Sequence, residues 1–241
     1  MLTIVTIVYN DVQNIERTIK SVLINKTTDV KYVIVDGGST DGTVDIINRY
    51  LSNIDTFISE KDSGIYDAMN KGWHNANNDD YVIFVNSGDF LFDNAVSEFK
   101  KTISSSKSEI DIYHGLISFF EDNSFKYIQG RSSSNLEKKM IEHPSCFVKK
   151  YVFDKLGGFD LTYKCASDYD FMLRAKQSGY KFMFMNIFVS NFDLSGASSN
   201  GITGYLESLK IKKKLGIMSL KEFYLRYAQA KVTYAIKMAL K

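Results

Sequence analysis

The chain has 241 residues, 44% of them hydrophobic and 14% aromatic, with a single proline, which excludes a disordered chain or a Pro-rich linker and suits one folded domain. Its formal net charge of +2 excludes the strongly basic surface of a nucleic-acid binder. No apolar run reaches the ~18–20 residues that span a bilayer.

Residues 3–8 are a continuous β-branched, apolar run and read as a buried parallel strand. Ile15, Ile19, Val22 and Leu23 then recur at helical spacing. A second buried run, residues 32–35, ends at Asp36, and a helix is expected over residues 42–51. A weaker strand over residues 54–59, a helix over 65–75 and a buried strand over 81–85 follow, with a further helix beginning near Asp93. This alternation predicts parallel βαβ units with helices on both faces of the sheet. Residues 112–120 and 124–129 read as two antiparallel strands. Helical and strand segments mix up to residue 192, "LGGFD" at 156–160 reads as a helix C-cap and turn, and the tail from Gly204 is helical, basic and amphipathic.

In open α/β sheets, ligands bind beyond the carboxyl ends of the strands. Four such places carry polar or aromatic residues: Tyr9-Asn10, the loop Asp36 to Gly42, Glu60-Lys61-Asp62, and Asn86-Ser87-Gly88-Asp89. The Asp36 loop has the glycines and the Ser/Thr/Asp caps of a good strand–turn–helix connection, but it is neither a dinucleotide fingerprint nor a P-loop. Its carboxylate is suited to accept the imino N–H of a uracil ring, with Tyr9 stacked on that ring. Asp89 and the Asn86 carbonyl are hard oxygen ligands of the kind a diphosphate-bound divalent cation needs. Ser167 reads as the N-cap of a helix carrying Phe171, Met172 and Ala175. Asp168 then falls in the first turn, where the helix dipole favours the ionised form that a general base needs.

The ordered segments "TIVYN", "VDGGSTDGT", "EKDSGIYDAMNKG", "FVNSGD", "HPSCFVKK", "LGGFD" and "SDYDFMLR" resemble the inverting family 2 glycosyltransferases of bacterial polysaccharide synthesis. The resemblance implies a GT-A (Rossmann-like) α/β fold with a mostly parallel central sheet and a helical C-terminal tail. It implies that a sugar passes from a nucleoside diphosphate, usually uridine diphosphate, to a hydroxyl of a glycan or lipid-linked acceptor. Asp168 is then the catalytic base. Thr6, Tyr9, Asn10, Asp36, Gly38, Ser39, Asp62, Asn70, Lys71, Asn86 and Ser87 are assigned to the donor nucleotide. Asp89 is assigned to Mn²⁺ or Mg²⁺, and His143 and Asp170 to the acceptor side. The chain departs from the family's metal motif in keeping one acid, Asp89, where two or more are usual; it also has Met69 before Asn70 where an Arg is frequent, which leaves Lys71 or another cation to offset diphosphate charge.

The expected organisation is a catalytic domain over residues 1–203, with a nucleotide-binding half (1–90) and an acceptor-binding half (91–203), followed by a tail over 204–241. Nine Lys or Arg against two Glu give residues 205–241 a charge of +7 and leave −5 on the rest, so the tail is expected either to touch an anionic membrane surface or to pack on the catalytic domain or a partner subunit. Cys146 and Cys165 match no zinc or redox spacing and are expected as free thiols. No basic segment precedes the first strand, so a cytoplasmic protein is expected, at the inner face of the membrane through its tail. Residues 195–199, "SGASS", read as a mobile loop over the donor or as an ordinary surface loop. Two other readings stand beside the transferase. A sugar-phosphate nucleotidylyltransferase needs a basic Gly-rich loop after the first strand, where this chain has Tyr9-Asn10-Asp11. A non-catalytic nucleotide-sugar-binding subunit has no need of both Asp89 and Asp168.

Overall fold

The structure is a computed structural model that describes residues 1–122, 124–194 and 202–239. Four strands build one half of the sheet: β1 (Leu2–Val8), β2 (Val30–Asp36), β3 (Thr56–Ser59) and β4 (Tyr81–Phe84). They lie in the order β3-β2-β1-β4, all parallel. Helices α1 (Ile15–Asn25), α2 (Thr43–Asn48) and α3 (Ile65–His74) connect them. Both faces of these strands are covered, which is why they read as unbroken apolar runs. Val5, Ile7, Val33, Val35 and Phe84 face one core with α3; Leu2, Ile4, Tyr32, Ile34 and Ile83 face the other with α1. α2 is shorter than its pattern suggested: Gly42 caps it at φ +98°, and a 3-10 turn at Leu51–Asn53 follows it separately.

The other half is built differently. It comprises β5 (Phe90–Leu91), α4 (Ala95–Ser105), β6 (Ile112–Glu121), β7 (Ser124–Gln129), β8 (Cys146–Lys149), α5 (Lys150–Leu156), α6 (Ser167–Gln177) and β9 (Phe182–Asp193). β8 pairs antiparallel with β4 on one side and β6 on the other, so the sheet as a whole is only partly parallel. β6 is long enough to use one edge twice, for β8 along residues 112–114 and for the antiparallel β7 along 117–121. β9 runs parallel to β6 on its other edge and ends at Asp193, beside β5. The two-residue β5 has no periodicity to announce it.

Helices α7 (Thr203–Lys214) and α8 (Leu220–Ala239) close the chain and differ from each other. α7 buries Leu209 and Ile211, the latter in the same core as α3, α5 and α6, whereas α8 buries only Phe223 and is exposed on every side from Lys231 to Ala239. Residues 195–199 lie outside the described residues. Cys146 and Cys165 are free thiols, as expected.

Candidate active site

A cleft of about 500 Å³ opens at the carboxyl ends of β1 and β4. Tyr9 stands at its mouth, 63% exposed, with Asn10 and Asp11 beside it. Asp62, Gly64 and Ile65 form one wall, and Asn86, Ser87, Gly88 and Asp89 another; Phe192 and Asp193 arrive from the end of β9. Four aspartates, at positions 11, 62, 89 and 193, thus line the cleft, and among the described residues no Lys, Arg or His does.

The wall at 86–89 is held from α1. Thr18 Oγ1 donates to the Asp89 carbonyl at 2.7 Å and accepts from the Gly88 N–H at 3.2 Å, while Arg17 donates to the Gly88 carbonyl at 2.7 Å. Gly88 has φ +96°, a conformation that glycine adopts at little cost. The Asp89 carboxyl accepts the Asp193 N–H at 3.1 Å and is 5% exposed. Burial, reinforced by the neighbouring Asp193 charge, pushes its pKa up to about 8. Asp193 lies 3.4 Å from the Arg17 guanidinium. Asn86 Oδ1 is buried without a hydrogen-bond partner among the described residues, and the Ser87 hydroxyl donates to Asp11 at 2.6 Å.

Several residues assigned to the donor from the sequence take other places. Asp36 is fully buried, and its two oxygens accept from the Gly38 and Ser39 N–H groups and from the Ser39 and Ser59 hydroxyls. With these bonds in place it organises its own loop and does not face the cleft. Gly38 and Ser39 belong to that loop: Gly38, at φ +84°, lets it approach Lys61, and Ser39 accepts the Asn10 N–H at 2.7 Å. Thr6 is buried against the Tyr32 hydroxyl. Asn70 exchanges two 2.9 Å hydrogen bonds with the backbone of Phe159, so it braces the 156–160 turn. That turn needs Gly158, at φ +70°, because a Cβ there would stand 2.5 Å from Asn70 Oδ1. Lys71 pairs with Glu60 at 2.8 Å and Asp67 at 3.5 Å, outside the cleft.

Behind the Gly64–Ile65 wall, Tyr66 donates its hydroxyl to Asp168 Oδ1 at 3.0 Å, and the Tyr169 N–H reaches the same oxygen at 2.9 Å. Burial and the Asp168 charge push the Tyr66 phenol up, so it stays a donor. Asp168 Oδ2 accepts no hydrogen bond among the described residues, and the side chain is half-buried. The helix starts one residue away from the place its sequence suggested: Ala166 is the N-cap, Ser167 is the first helical residue, and the Ser167 hydroxyl is buried without a partner. Asp168 remains in the first turn.

The two residues assigned to the acceptor side are buried. Asp170 is inaccessible and pairs with Arg174 at 2.6 Å, whose other nitrogens hold the Leu156 and Gly158 carbonyls. His143 lies in the aromatic core between Phe84 and Phe159, and burial pushes its pKa down despite the nearby Asp168 charge. Sequence reasoning passed over Asp11, which the strand-end rule reaches one residue past Asn10, and Asp193, which no local pattern marks.

The model of Glycosyl transferase family 2 matches residues 3–166. The chain belongs to that family. A PGL/p-HBAD biosynthesis glycosyltransferase of Mycobacterium tuberculosis is 27% identical over 196 residues, which cover 78% of this chain and 76% of that protein. Among solved structures, S. aureus TarS 1–349 in complex with UDP has a TM-score of 0.70 at 17% identity, covering 88% of this chain; this chain spans 64% of that structure's length. Mannosyltransferase PcManGT from Pyrobaculum calidifontis, in complex with GDP-Man and Mn²⁺, has a TM-score of 0.69 at 14% identity over 99% of this chain and 74% of that one. These likenesses establish the GT-A fold and, with the family, a transferase of sugars.

Proposed function

We propose that the chain transfers a sugar from a uridine diphosphate donor, with inversion, to a hydroxyl of a glycan or lipid-linked acceptor. The observation that carries the donor reading is the cleft itself: an exposed aromatic ring at the strand ends, over walls that supply only oxygen ligands. Tyr9 is placed to stack on a base. With Asp36 saturated, Asp62 is the carboxylate beside Tyr9 that can accept a base N–H; its Oδ1 is held by the Gly64 N–H at 2.9 Å. TarS with UDP supports uracil as that base.

A diphosphate entering a cleft lined by four aspartates needs a cation between the two. Among the described residues no three His, Cys, Asp or Glu gather at ligating range, so protein groups alone do not complete a metal cage. The residues present still fit a hard divalent ion: the unpartnered Asn86 Oδ1 and the buried Asp89 are both oxygen donors. When bound, such an ion supplies positive charge to the departing diphosphate. The Mn²⁺ in the PcManGT complex supports this reading. Asp168, in the first turn of α6 with no hydrogen bond to Oδ2 among the described residues, is the group we assign to take the acceptor's proton.

Thermal stabilisation by UDP, GDP, UDP-GlcNAc, UDP-glucose and GDP-mannose, each with and without Mn²⁺, tests the donor. A ligand at 100 times its dissociation constant adds about 2.7 kcal/mol. Uridine nucleotides should stabilise the protein, and Mn²⁺ should increase the effect. Equal stabilisation by GDP, or none by any nucleotide, refutes the reading.

We also assign α8 to an anionic membrane surface. No helix among the described residues is long and apolar enough to cross a membrane. Val232 and Ile236, between Lys231 and Lys237, and Met238 just after them are nonetheless more than half exposed. Pairing of two copies through α8 would bring like charges together, whereas an anionic leaflet supplies the opposite charge. Sedimentation with phosphatidylglycerol vesicles, lost in Val232→Glu/Ile236→Glu and absent with phosphatidylcholine alone, is the expected result. Unchanged sedimentation of that variant rejects the assignment.

A further inference from the structure

α6 begins without a cap of its own. Ala166 has no side-chain acceptor, and the N–H groups that lead into the helix lie beyond reach of the intrahelical pattern. They are satisfied from another element. The N–H groups of Lys164, Cys165 and Ala166 all donate to the carboxylate of Glu207 in α7, the first at 2.9 Å to Oε1, the others at 2.8 and 3.0 Å to Oε2. Glu207 is buried, 7% exposed, and forms no ion pair with a Lys or Arg among the described residues. Its charge therefore faces the positive end of α6 and the backbone that precedes it.

A buried carboxylate is costly unless it is fully hydrogen-bonded. If α7 needed only to pack, an apolar residue would serve there, as it does at Leu209 and Ile211. The carboxylate is instead committed to the segment that carries Asp168. α7 is itself held to the body by Lys214, 3.1 Å from Asp160, and by Lys212, 3.1 Å from the Lys138 carbonyl. Glu207 is thus a fixed point.

We infer that Glu207 is a positioning residue for the transfer reaction: by clamping three successive N–H groups it sets the first turn of α6, and through that turn the orientation of Asp168 toward Tyr66 and the acceptor. The inference rests on the reading of Asp168 as the base. A catalytic group displaced by about 1 Å loses on the order of 10²-fold in rate. The donor cleft lies on other elements, so donor affinity is independent of the clamp.

The test uses the full chain as wild type, Glu207→Ala, Glu207→Gln, Asp168→Asn and the Glu207→Ala/Asp168→Asn double variant. UDP release from UDP-GlcNAc and UDP-glucose gives kcat and donor KM, calorimetry gives UDP affinity, and a melting curve reports folding. Glu207→Ala should lose about 10²-fold in kcat, with donor KM and UDP affinity unchanged. Glu207→Gln, which keeps one carbonyl oxygen for the backbone, should recover part of that loss. In the Asp168→Asn background, Glu207→Ala should cost nothing further, because both changes act on one group. Wild-type kcat in Glu207→Ala, a full additional loss in the double variant, or parallel loss of kcat and UDP affinity each overturns the inference. If Glu207→Ala does not fold, Glu207→Gln takes its place in the same cycle, with the same outcomes deciding. Normal turnover by Asp168→Asn removes the base reading and this inference with it. A crippled Asp168→Asn beside a normal Glu207 variant removes only the role of Glu207.

Discussion

The donor cleft and the first turn of α6 both present carboxylates, yet they are assembled from different elements. In the cleft, Asp11, Asp62 and Asp89 each follow a strand of the parallel half; Asp62 is held locally by Gly64 at 2.9 Å, Asp11 is bonded by Asn14 at 2.7 Å and by Ser87 at 2.6 Å, and Asp89 accepts the Asp193 N–H at 3.1 Å. At α6, Asp168 is oriented by Tyr66 from α3, while the backbone ahead of it is held by Glu207 from α7. The cleft is a row of loops at strand ends, joined by Phe192 and Asp193 from β9; the α6 turn is set by side chains from two other helices. The two regions meet at α3, whose Ile65 lines the cleft and whose Tyr66 reaches Asp168. Binding and turnover should therefore be separable by mutation, even with adjacent residues between the two sites.

The largest effect that tests this separation is Asp168→Asn. Loss of a positioned base lowers turnover by ~10²–10⁴-fold. Because Asp168 does not line the cleft, UDP affinity measured by calorimetry should be unchanged. A variant that loses UDP binding and turnover together would show that the two regions are one.

The same contrast explains what could be read from the chain before its structure. β1, β2 and β4 announce themselves because both faces are buried, and the loops after β1, β3 and β4 direct attention to Tyr9, Asn10, Asp62, Asn86, Ser87 and Asp89, all of which line the cleft. Asp36 differs from these for a physical reason. It stands at a strand end like the others, but four donors within reach turn its carboxylate inward, and a sequence does not show whether an acceptor is already satisfied. Asp193 was invisible because its place beside Asp89 follows from β9 running parallel to β6 and then pairing with the two-residue β5. Glu207 was hidden in a run of tail residues that reads as a solvated charged helix; its partners are backbone groups, which no side-chain pattern encodes.

A paired comparison within the cleft is the next effect in size. Asp62→Ala should weaken UDP binding by about 1–3 kcal/mol, the cost of leaving a buried donor without its acceptor, with little change in the melting midpoint. Asp36→Ala should do the reverse in the free protein, lowering the melting midpoint because the Gly38 and Ser39 N–H groups and two hydroxyls lose their acceptor. Calorimetry and melting curves on the two variants side by side decide it. If Asp36→Ala melts like wild type and fails to bind UDP, the base contact belongs to Asp36 and its loop opens to meet the ligand.

The smallest effect, read over the single unit from pH 6 to 7, concerns Asp89, where the cleft resembles a core more than a surface. Its folded pKa is raised to about 8 by burial and by Asp193, against an ordinary carboxylate value of 3.8. Between these values the folded protein keeps a proton that the unfolded chain has released. The unfolded state therefore binds fewer protons, and stability falls as pH rises, by at most about 1.4 kcal/mol per pH unit for one proton. The fall should run through pH 5–8 and level off above it; below pH 4 both states are protonated and Asp89 contributes no slope. Asp89→Asn has no proton to lose, so its melting midpoint should decline less over pH 6–7 than that of wild type. A divalent cation acts on the same proton. It binds the ionised carboxylate, so saturating Mn²⁺ should flatten the wild-type slope and leave that of Asp89→Asn unchanged. Mn²⁺ affinity should likewise rise with pH through the same window, since each ion bound releases a proton. Identical slopes for wild type and Asp89→Asn in the absence of metal would mean that water reaches Asp89 and that the cleft floor is solvated.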